Sequence, residues 1–437
     1  MTLQQIHHHI ENSPLRPYQM LVIGLGVLIN LLDGYDILAL SLISPILTRE
    51  WALSPETLGV LFSASLLGMA CGAFFLSPVA DLFGRRTAIL VNLSLMSVGM
   101  LLSSMADSVT WLLVMRFCTG LGVGAMAACV GTLVFEYCSI KTRNLGLGLV
   151  TIGYTVGTLI GTYAAPWLLE VLDWRGIFVF GGVCSCLLIP VIYLLLPESL
   201  DVLAARRTPQ SLTTINRILM RLALPALTEL PAAQTKVQQG SLLDLLRQPI
   251  LTRTVLMGLS YFLYMFTQYF FLNWNNQLTT NAGFALSDGL MVSRLTSFGG
   301  ILGGIVIGIA SFRYPIRPLS FITLLAMSLS LVVFGTAATN LPLAQGSAFV
   351  MGFCIFGAAV VLYACGATTF PARMRATGMG LVMSAGRLGS TFGPSAAGFL
   401  LGAGNSRLAV CVLLAIPVLV SIATLVRVPL TKIDGEE

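Results

Sequence analysis

Long apolar segments recur along nearly the whole chain, and they constrain its fold more than any other feature. A bilayer core about 30 Å thick needs roughly 20 apolar residues per helix. The 437 residues are 56% hydrophobic and only 10% charged, so the pattern predicts an all-α membrane protein with twelve spans. These spans are 18–46, 55–80, 87–105, 111–135, 144–169, 175–196, 251–278, 286–311, 318–336, 344–368, 376–401 and 406–427.

The distribution of basic residues predicts the orientation of these spans. Most of the 24 lysines and arginines fall in segments on one side of the membrane, and cytoplasmic loops are the ones enriched in basic residues. We therefore expect a multi-pass protein of the cell inner (plasma) membrane with both termini in the cytoplasm. Three arginines fall on the other side and three within spans, namely Arg49, Arg175 and Arg407, and Arg116, Arg294 and Arg387.

The segment between spans six and seven divides the chain into two halves. Residues 197–250 are rich in arginine and proline, so we expect a cytoplasmic linker between an N-terminal six-helix bundle, 18–196, and a C-terminal one, 251–427. Short cytoplasmic tails, 1–17 and 428–437, complete the organisation. Within the linker, "SLTTINRILMRLAL" has apolar residues at helical spacing, which is typical either of a helix on the membrane surface or of an ordinary tether.

The two halves repeat each other in sequence. The string "RNLGLGLVTIGYTVGTLIG" from Arg143 aligns without gaps onto "RATGMGLVMSAGRLGSTFG" from Arg375, with seven of 19 positions identical. Four glycines match between the strings, and small residues at such spacing let helices approach closely. Repeated halves with a ligand site near the midplane are typical of secondary transporters, so we expect two pseudo-symmetric bundles that carry a solute.

Two carboxylates interrupt the first apolar span, in "NLLDGYDILAL". Asp33 is predicted about 20 Å into its helix, and Asp36 follows on the same face. An ionised aspartate deep in a bilayer costs at least a few kcal/mol and usually faces a cavity or an opposite charge. The pair is therefore predicted to bind a proton or to contact substrate. The alternative is that one aspartate forms a fixed ion pair with Arg116 while the other caps a bend at Gly34.

Two deep arginines and one aromatic span are candidates for binding an anion. Arg387 is predicted about 18 Å into the membrane and can hold a carboxylate bidentately while remaining charged, with Arg294 as the second candidate. The seventh span, "YFLYMFTQYFFLNW", contains eight aromatic residues that can stack on an aromatic ligand or form an interfacial belt with ordinary packing. From this span, Tyr264, Gln268 and Asn273 are candidate polar contacts.

Across essentially the whole chain, these features resemble the major facilitator superfamily. The loop "SPVADLFGRRTAIL" matches the superfamily's G-x-x-x-D-x-x-G-R-R motif at Asp81, Gly84, Arg85 and Arg86. The resemblance implies that this loop is part of a cytoplasmic gate. It extends to "RFCTGLGVGA" in the fourth span and to "EYCSIKTR" and "FPARMR". These strings contribute the further gating or structural candidates Arg116, Glu136, Arg143 and Arg375.

More narrowly, Asp33, Gly34, Tyr35 and Asp36 resemble the aspartate-glycine-aromatic-aspartate motif of the aromatic acid:proton symporter family. The resemblance implies proton-coupled uptake of an aromatic or related organic carboxylate by alternating access. It also implies proton coupling at Asp33 and Asp36 and substrate contact at Tyr35. The expected partners are a small organic acid, protons and the lipid bilayer. A monomer is expected, with no nucleic acid, cofactor or metal.

Two other functions compete with symport. A proton-driven antiporter that exports hydrophobic compounds would carry a G-P-x-x-G-G end to the fifth span, where this chain has "GTYAAPWLL". A membrane enzyme or a ligand sensor would need a nucleophile elbow, a metal-spaced His/Asp cluster, a phosphate loop or an output domain. None of these is apparent in the sequence, so the protein is not expected to be an enzyme.

Overall fold

The protein is built from helices. The computed structural model describes residues 3–12, 14–77, 80, 83–206, 208–230, 245, 250–371 and 374–428. This part of the chain contains fifteen helices and no strand. In chain order, α1 to α15 are Leu3–Glu11, Pro17–Glu50, Pro55–Phe75, Arg85–Ser104, Val109–Tyr137, Ile140–Leu172, Arg175–Leu195, Leu200–Arg206, Pro209–Arg221, Ile250–Asn281, Leu286–Ala310, Ile316–Thr336, Leu341–Thr369, Arg375–Gly402 and Arg407–Arg427.

The predicted spans correspond to α2–α7 and α10–α15. Among the described residues, eleven helices are long and apolar enough to cross a membrane. The twelfth, α14, has 28 residues, but its glycine, serine and threonine residues and two arginines, Arg375 and Arg387, lower its hydropathy. The predicted all-α class with twelve membrane-length helices is confirmed.

Side-chain caps mark where several of these helices begin. Ser108 accepts a hydrogen bond from a first-turn N–H of α5, Asn340 does the same for α13, and Ser406 does so for α15. Such caps satisfy amide groups that the first turn leaves without a helical partner. Each of these helices therefore starts at the polar residue that closes the preceding turn.

Packing divides the chain into two compact units. Unit 1 contains Met1–Asp36, Gly68–Gly157 and Phe178–Val237. Unit 2 contains Ile37–Leu67, Thr158–Ile177 and Gln238–Glu437. The boundaries fall inside α2, α3, α6 and α7, so each of these helices contributes one part to each unit.

Glycines of the repeated string bring two helices of unit 1 into backbone contact. A Cβ atom at Gly157 of α6 would overlap the carbonyl oxygen of Leu31 in α2. From the other side, a Cβ atom at Gly34 of α2 would overlap the carbonyl oxygen of Tyr154. The helices therefore cross at a separation that a side chain at either glycine would prevent.

The repeat preserves this contact in unit 2. Gly389 of α14, which aligns with Gly157, faces the carbonyl oxygen of Phe262 in α10, and a Cβ atom there would overlap that oxygen. One turn later, Gly393 stands in the same relation to Phe266. The two copies of the glycine string thus form equivalent close helix crossings.

The linker contains the amphipathic helix that its pattern indicates, α9. Two residues of its apolar face, Ile215 and Leu219, are 1% and 0% exposed, because other residues of the protein cover them. Arg221 lies over the ring of Tyr18, 5.3 Å from its centroid. The apolar face of α9 is therefore used for packing inside the protein.

Candidate functional site

The two aspartates of the first span lie in the middle of α2 and are buried. Asp33 and Asp36 are each 2% exposed. Oδ1 of Asp36 accepts a hydrogen bond from Nη1 of Arg116 at 2.8 Å, and both side chains of this ion pair are almost fully covered. The structure thus joins one of the two aspartates to the arginine of α5 that the sequence offers as a partner.

Arg116 is held by more than its ion pair. Its Nε and Nη2 atoms donate to Oγ of Ser103 at 3.2 and 3.0 Å, and Nη2 also donates to Oγ1 of Thr119 at 3.1 Å. The guanidinium lies 4.6 Å from the ring centroid of Phe178. Oδ2 of Asp36, by contrast, has no hydrogen-bond partner among the described residues. The arginine is therefore held by several groups at once, whereas only one oxygen of the carboxylate is hydrogen-bonded within the described residues.

Tyr35 packs inside unit 1, beside this pair in sequence. Its side chain is 2% exposed, and its ring centroid lies 5.5 Å from that of Phe180. Gly181 leaves room for the ring, since a Cβ atom there would crowd it. Tyr35 therefore holds α2 against α7.

The two candidate anion-binding arginines have different surroundings in unit 2. Arg294 donates from Nη2 to the carbonyl oxygen of Thr162 at 3.1 Å and lies 4.1 Å from the ring centroid of Tyr163. Arg387 is partly exposed and interacts electrostatically with Tyr261. Arg294 thus contacts α6, and both arginines are partly exposed.

Three polar residues of α10 were candidates for contacts with a ligand. The hydroxyl of Tyr264 donates to the carbonyl oxygen of Ile355 at 2.7 Å. Asn273 donates to the carbonyl oxygen of Tyr269, one turn earlier, at 2.8 Å. Gln268 is 5% exposed, and its Oε1 atom has no hydrogen-bond partner in the described part of the chain.

The aromatic residues at the C-terminal end of α10 are packed inside the protein. Phe270, Phe271 and Trp274 are at most 1% exposed. The ring of Phe271 lies 5.1 Å from that of Phe334, and Nε1 of Trp274 donates to the carbonyl oxygen of Pro394 at 3.0 Å. For these three residues, the structure supports ordinary packing, which is part of the alternative to ligand stacking that the sequence allowed.

Two asparagines after Trp274 form contacts that the sequence did not predict. Nδ2 of Asn276 donates to the carbonyl oxygens of Ser41 and Leu42 at 2.9 and 3.1 Å. Asn275 accepts from the hydroxyl of Ser293 at 2.6 Å. The bonds of Asn276 join α10 to the part of α2 that belongs to unit 2, and the bond of Asn275 joins α10 to α11. The available signal was the unusual run of amide side chains in an apolar span.

The structure describes part of the loop motif that leads into α4. Asp81 lies outside the described residues. Gly84 has a φ of +94°, a conformation that glycine adopts at little cost. Arg85 forms an ion pair with Glu136 at the end of α5. The structure thus brings together two residues that the sequence offers as gating or structural candidates.

Glu198 is a functional candidate that the sequence reasoning missed. Its Oε1 accepts hydrogen bonds from the backbone N–H groups of Arg86 and Ser199, each at 3.0 Å. Its carbonyl oxygen accepts from the hydroxyl of Tyr137 at 2.7 Å. The guanidinium of Arg86 donates to the carbonyl oxygen of Tyr193 at the end of α7. The signal was an acidic residue directly after the sixth span, on the side rich in basic residues.

The paired arginines of the repeat begin equivalent helices in different environments. Arg143, in the first turn of α6, forms a 3.1 Å ion pair with Glu11 of α1 and lies over the ring of Phe135. Arg375 is the first residue of α14 and is exposed. The ion pair of Arg143 thus joins the N-terminal helix, α1, to α6 within unit 1.

Sequence comparisons identify relatives over most of the chain. The Major Facilitator Superfamily model matches residues 26–363. A gallate transporter from Pseudomonas putida is 30% identical over 90% of this chain and 88% of its own length. A 4-hydroxybenzoate transporter from Acinetobacter baylyi is 29% identical over 90% and 87%, and a benzoate transport protein from the same organism is 28% identical over 91% and 86%.

Solved structures agree on the fold. The inward-open xylose transporter XylE from E. coli matches with a TM-score of 0.73 at 17% identity, over 95% of this chain and 98% of that chain. The family resemblance predicted from the loop and first-span motifs is confirmed by the match of the family model and by the relatives. The chain therefore belongs to the major facilitator superfamily and is a multi-pass membrane transporter, not an enzyme.

Proposed function

We propose that the protein takes up an aromatic carboxylate together with protons by alternating access. The observation that carries the proposal is the buried Asp36–Arg116 ion pair, one helical turn from the buried Asp33, in a chain whose relatives are named for gallate, 4-hydroxybenzoate and benzoate. Ionisable groups inside membrane spans usually mark ion or substrate pathways. The carboxylates supply a proton site, and the arginine supplies a charge that responds to it.

In the proposed cycle, Asp36 and Asp33 are the carboxylates that bind protons. The ionised Asp36 carboxylate holds Arg116 at 2.8 Å, and Coulomb attraction at this distance is strong where water is excluded. A proton on the carboxylate removes the negative charge and with it most of that attraction. Among the described residues, the guanidinium then keeps its contacts with Ser103, Thr119 and Phe178, and α2 becomes able to shift against α5.

Arg387 is our proposed carboxylate clamp. A guanidinium forms two parallel hydrogen bonds with a carboxylate and stays charged when it is buried. Both side chains are partly exposed, and the predicted depth of Arg387, nearer the membrane midplane, favours it of the two. Arg294 remains the second candidate, and contact of Tyr35 with the substrate stays a prediction from the first-span motif.

The loop before α4 is proposed to act on the cytoplasmic side. The contacts of Arg85 with Glu136 and of Arg86 with Glu198 support a role as a latch, because breaking them would release the start of α4. From the distribution of basic residues, we propose that the protein lies in the inner (plasma) membrane. Both termini and the linker would then be in the cytoplasm. We propose that a monomer with halves 18–196 and 251–427 is the transporting unit.

The test of this function is uptake of labelled acids into proteoliposomes that contain the purified protein. Benzoate, 4-hydroxybenzoate and muconate are offered with and without an inward proton gradient. Gradient-driven accumulation that an uncoupler abolishes would support symport of an organic carboxylate. Absence of uptake, together with outward movement of lipophilic compounds driven by the inward proton gradient, would refute it in favour of an exporter.

Arg387→Lys is expected to weaken binding of the transported acid by roughly 10- to 100-fold, because the lysine keeps the charge but loses the bidentate geometry. Equilibrium binding of labelled acid to the purified protein measures the change. Arg294→Lys serves as the matched control and is expected to have the smaller effect. Wild-type affinity in Arg387→Lys would exclude the clamp.

A further inference from the structure

Gln268 is a buried amide in α10 to which the proposed transport cycle assigns no partner. It is 5% exposed, and its Oε1 atom accepts no hydrogen bond from the described residues. Its neighbours on the helix differ, since Tyr264 and Asn273 both donate to backbone carbonyl oxygens. Leaving a buried polar atom unpaired is unfavourable, so a partner from outside the protein would stabilise Gln268.

The contact between α14 and α10 shows how far apart Gln268 and Arg387 lie along the helix axis. Gly389 faces the carbonyl oxygen of Phe262, and the next turn repeats the contact at the same offset of 127 residues. Arg387 therefore lies level with position 260, and Gln268 is eight residues farther along α10, or about 12 Å at 1.5 Å per residue. The side chain of Arg387, together with an aromatic carboxylate bound to it, is of about this length. A polar group on the ring opposite the carboxylate would then lie near Gln268.

We infer that Gln268 recognises a ring hydroxyl opposite the carboxylate, and that the transporter therefore prefers hydroxylated aromatic carboxylates to unsubstituted ones. This inference rests on the proposed function, with Arg387 binding the carboxylate. A phenolic hydroxyl both donates and accepts, so it pairs with the amide of Gln268 in either of its two orientations.

The expected selectivity has a simple physical basis. When the bound acid carries the hydroxyl, the amide gains its missing partner. When the ring carries only hydrogen at that position, the amide stays unpaired in a site from which the ligand has displaced water. Sites built to bond a hydroxyl reject analogues that lack it far more strongly than apolar pockets reject a methylene difference. Gln268 thus determines specificity, while Arg387 provides the affinity that both acids share.

The experiment measures equilibrium binding of labelled 4-hydroxybenzoate and benzoate to the purified full-length protein. The wild type is expected to bind 4-hydroxybenzoate at least roughly 10-fold more tightly than benzoate. Gln268→Met preserves side-chain length but removes the amide, so the ratio is expected to fall toward one, both because 4-hydroxybenzoate loses its partner and because benzoate no longer leaves an amide unpaired. Benzoate affinity at or above the wild-type value also reports that the variant is folded.

Gln277→Met is the matched control. Gln277 lies on the same helix, is 3% exposed, and also has an Oε1 atom with no partner in the described part of the chain. Its amide nitrogen already donates to Asn281 at 2.9 Å, and it stands nine residues farther from the level of Arg387. This variant is expected to keep the wild-type ratio. Gln268→Ala, which removes the amide without filling its space, provides a second test should Gln268→Met fail to fold.

Different results separate the inference from the function on which it rests. Equal wild-type affinity for the two acids would overturn the role of Gln268 while leaving transport of aromatic carboxylates intact. A wild-type ratio in Gln268→Met or Gln268→Ala would do the same, as would loss of the ratio in Gln277→Met. Failure of the wild type to bind either acid would instead remove the proposed function and the inference together.

Discussion

Asp36→Asn is expected to abolish proton-driven accumulation of the transported acid, while Arg116→Ala is expected to lower the free energy of unfolding by about 3–5 kcal/mol. Asparagine cannot release or take up a proton, so a proton gradient could no longer drive the shift of α2 against α5. Removing the arginine leaves the buried carboxylate of Asp36 without its 2.8 Å partner. Uptake into proteoliposomes and thermal unfolding in detergent measure the two effects separately.

The double variant Asp36→Asn/Arg116→Met separates a coupling role from a structural one. Both charges are removed and the volume of the arginine is largely kept, and such replacements of buried ion pairs are often neutral or stabilising. We expect wild-type or higher stability, entry of the acid down its own concentration gradient, and no accumulation driven by protons. A stable double variant that still accumulates substrate would show that the pair is purely structural.

An exposed ion pair of the same chain supplies the control. Asp173 and Arg175 are 57% and 36% exposed and lie 3.6 Å apart, and such surface pairs contribute only about 0–1 kcal/mol. Asp173 has a φ of +62°, which asparagine tolerates. Asp173→Asn should therefore leave both stability and accumulation close to those of the wild type.

Gly157→Ala and Gly389→Ala are expected to destabilise the protein and to impair transport. Each new Cβ atom would overlap a backbone carbonyl oxygen of the facing helix, that of Leu31 or that of Phe262. A backbone oxygen cannot rotate away as a flexible side chain can, so the helices must separate. Overpacking of this kind costs about 1–3 kcal/mol. Thermal unfolding and initial uptake rates give the two readouts.

The repeat itself provides matched controls for these glycines. Gly148 and Gly380 stand nine positions earlier in the two copies, and a Cβ atom at either would meet nothing within 4 Å. Alanine there should be neutral or stabilising by up to about 1 kcal/mol, because it favours the helix over the unfolded chain. Equal stability of Gly157→Ala and Gly148→Ala would mean that the close crossing of α2 and α6 is not required.

The linker shows where sequence patterns stop being decisive. The spacing of Ile215 and Leu219 predicts an amphipathic helix, and α9 is present. The same pattern suits a membrane surface or a protein surface, because both bury an apolar face. Coverage of these residues by the protein could be recognised only once the neighbours of α9 were known.

Sequence patterns also leave the contacts of the charged residues undecided. Sequence alone singled out Asp33, Asp36, Arg116 and Arg387 as charges in apolar spans, but it left open whether an aspartate pairs with Arg116. The structure shows that Asp36 does so, and it shows that Arg294 contacts Thr162. Glu198 was not predicted, because a single acidic residue after a span has no periodicity. Its contacts depend on the loop that it faces.

The sequence by itself determined the twelve spans, the duplicated glycine string and the superfamily, because apolar length, spacing and motif are properties of contiguous residues. Only the tertiary structure decided which charges pair, which glycines stand against a backbone oxygen, and which face of α9 is covered. Those features depend on helices that are distant in the chain and adjacent in space. The partition of α2, α3, α6 and α7 between two compact units is the clearest case, since no local pattern marks the residue at which a continuous helix changes its packing neighbours.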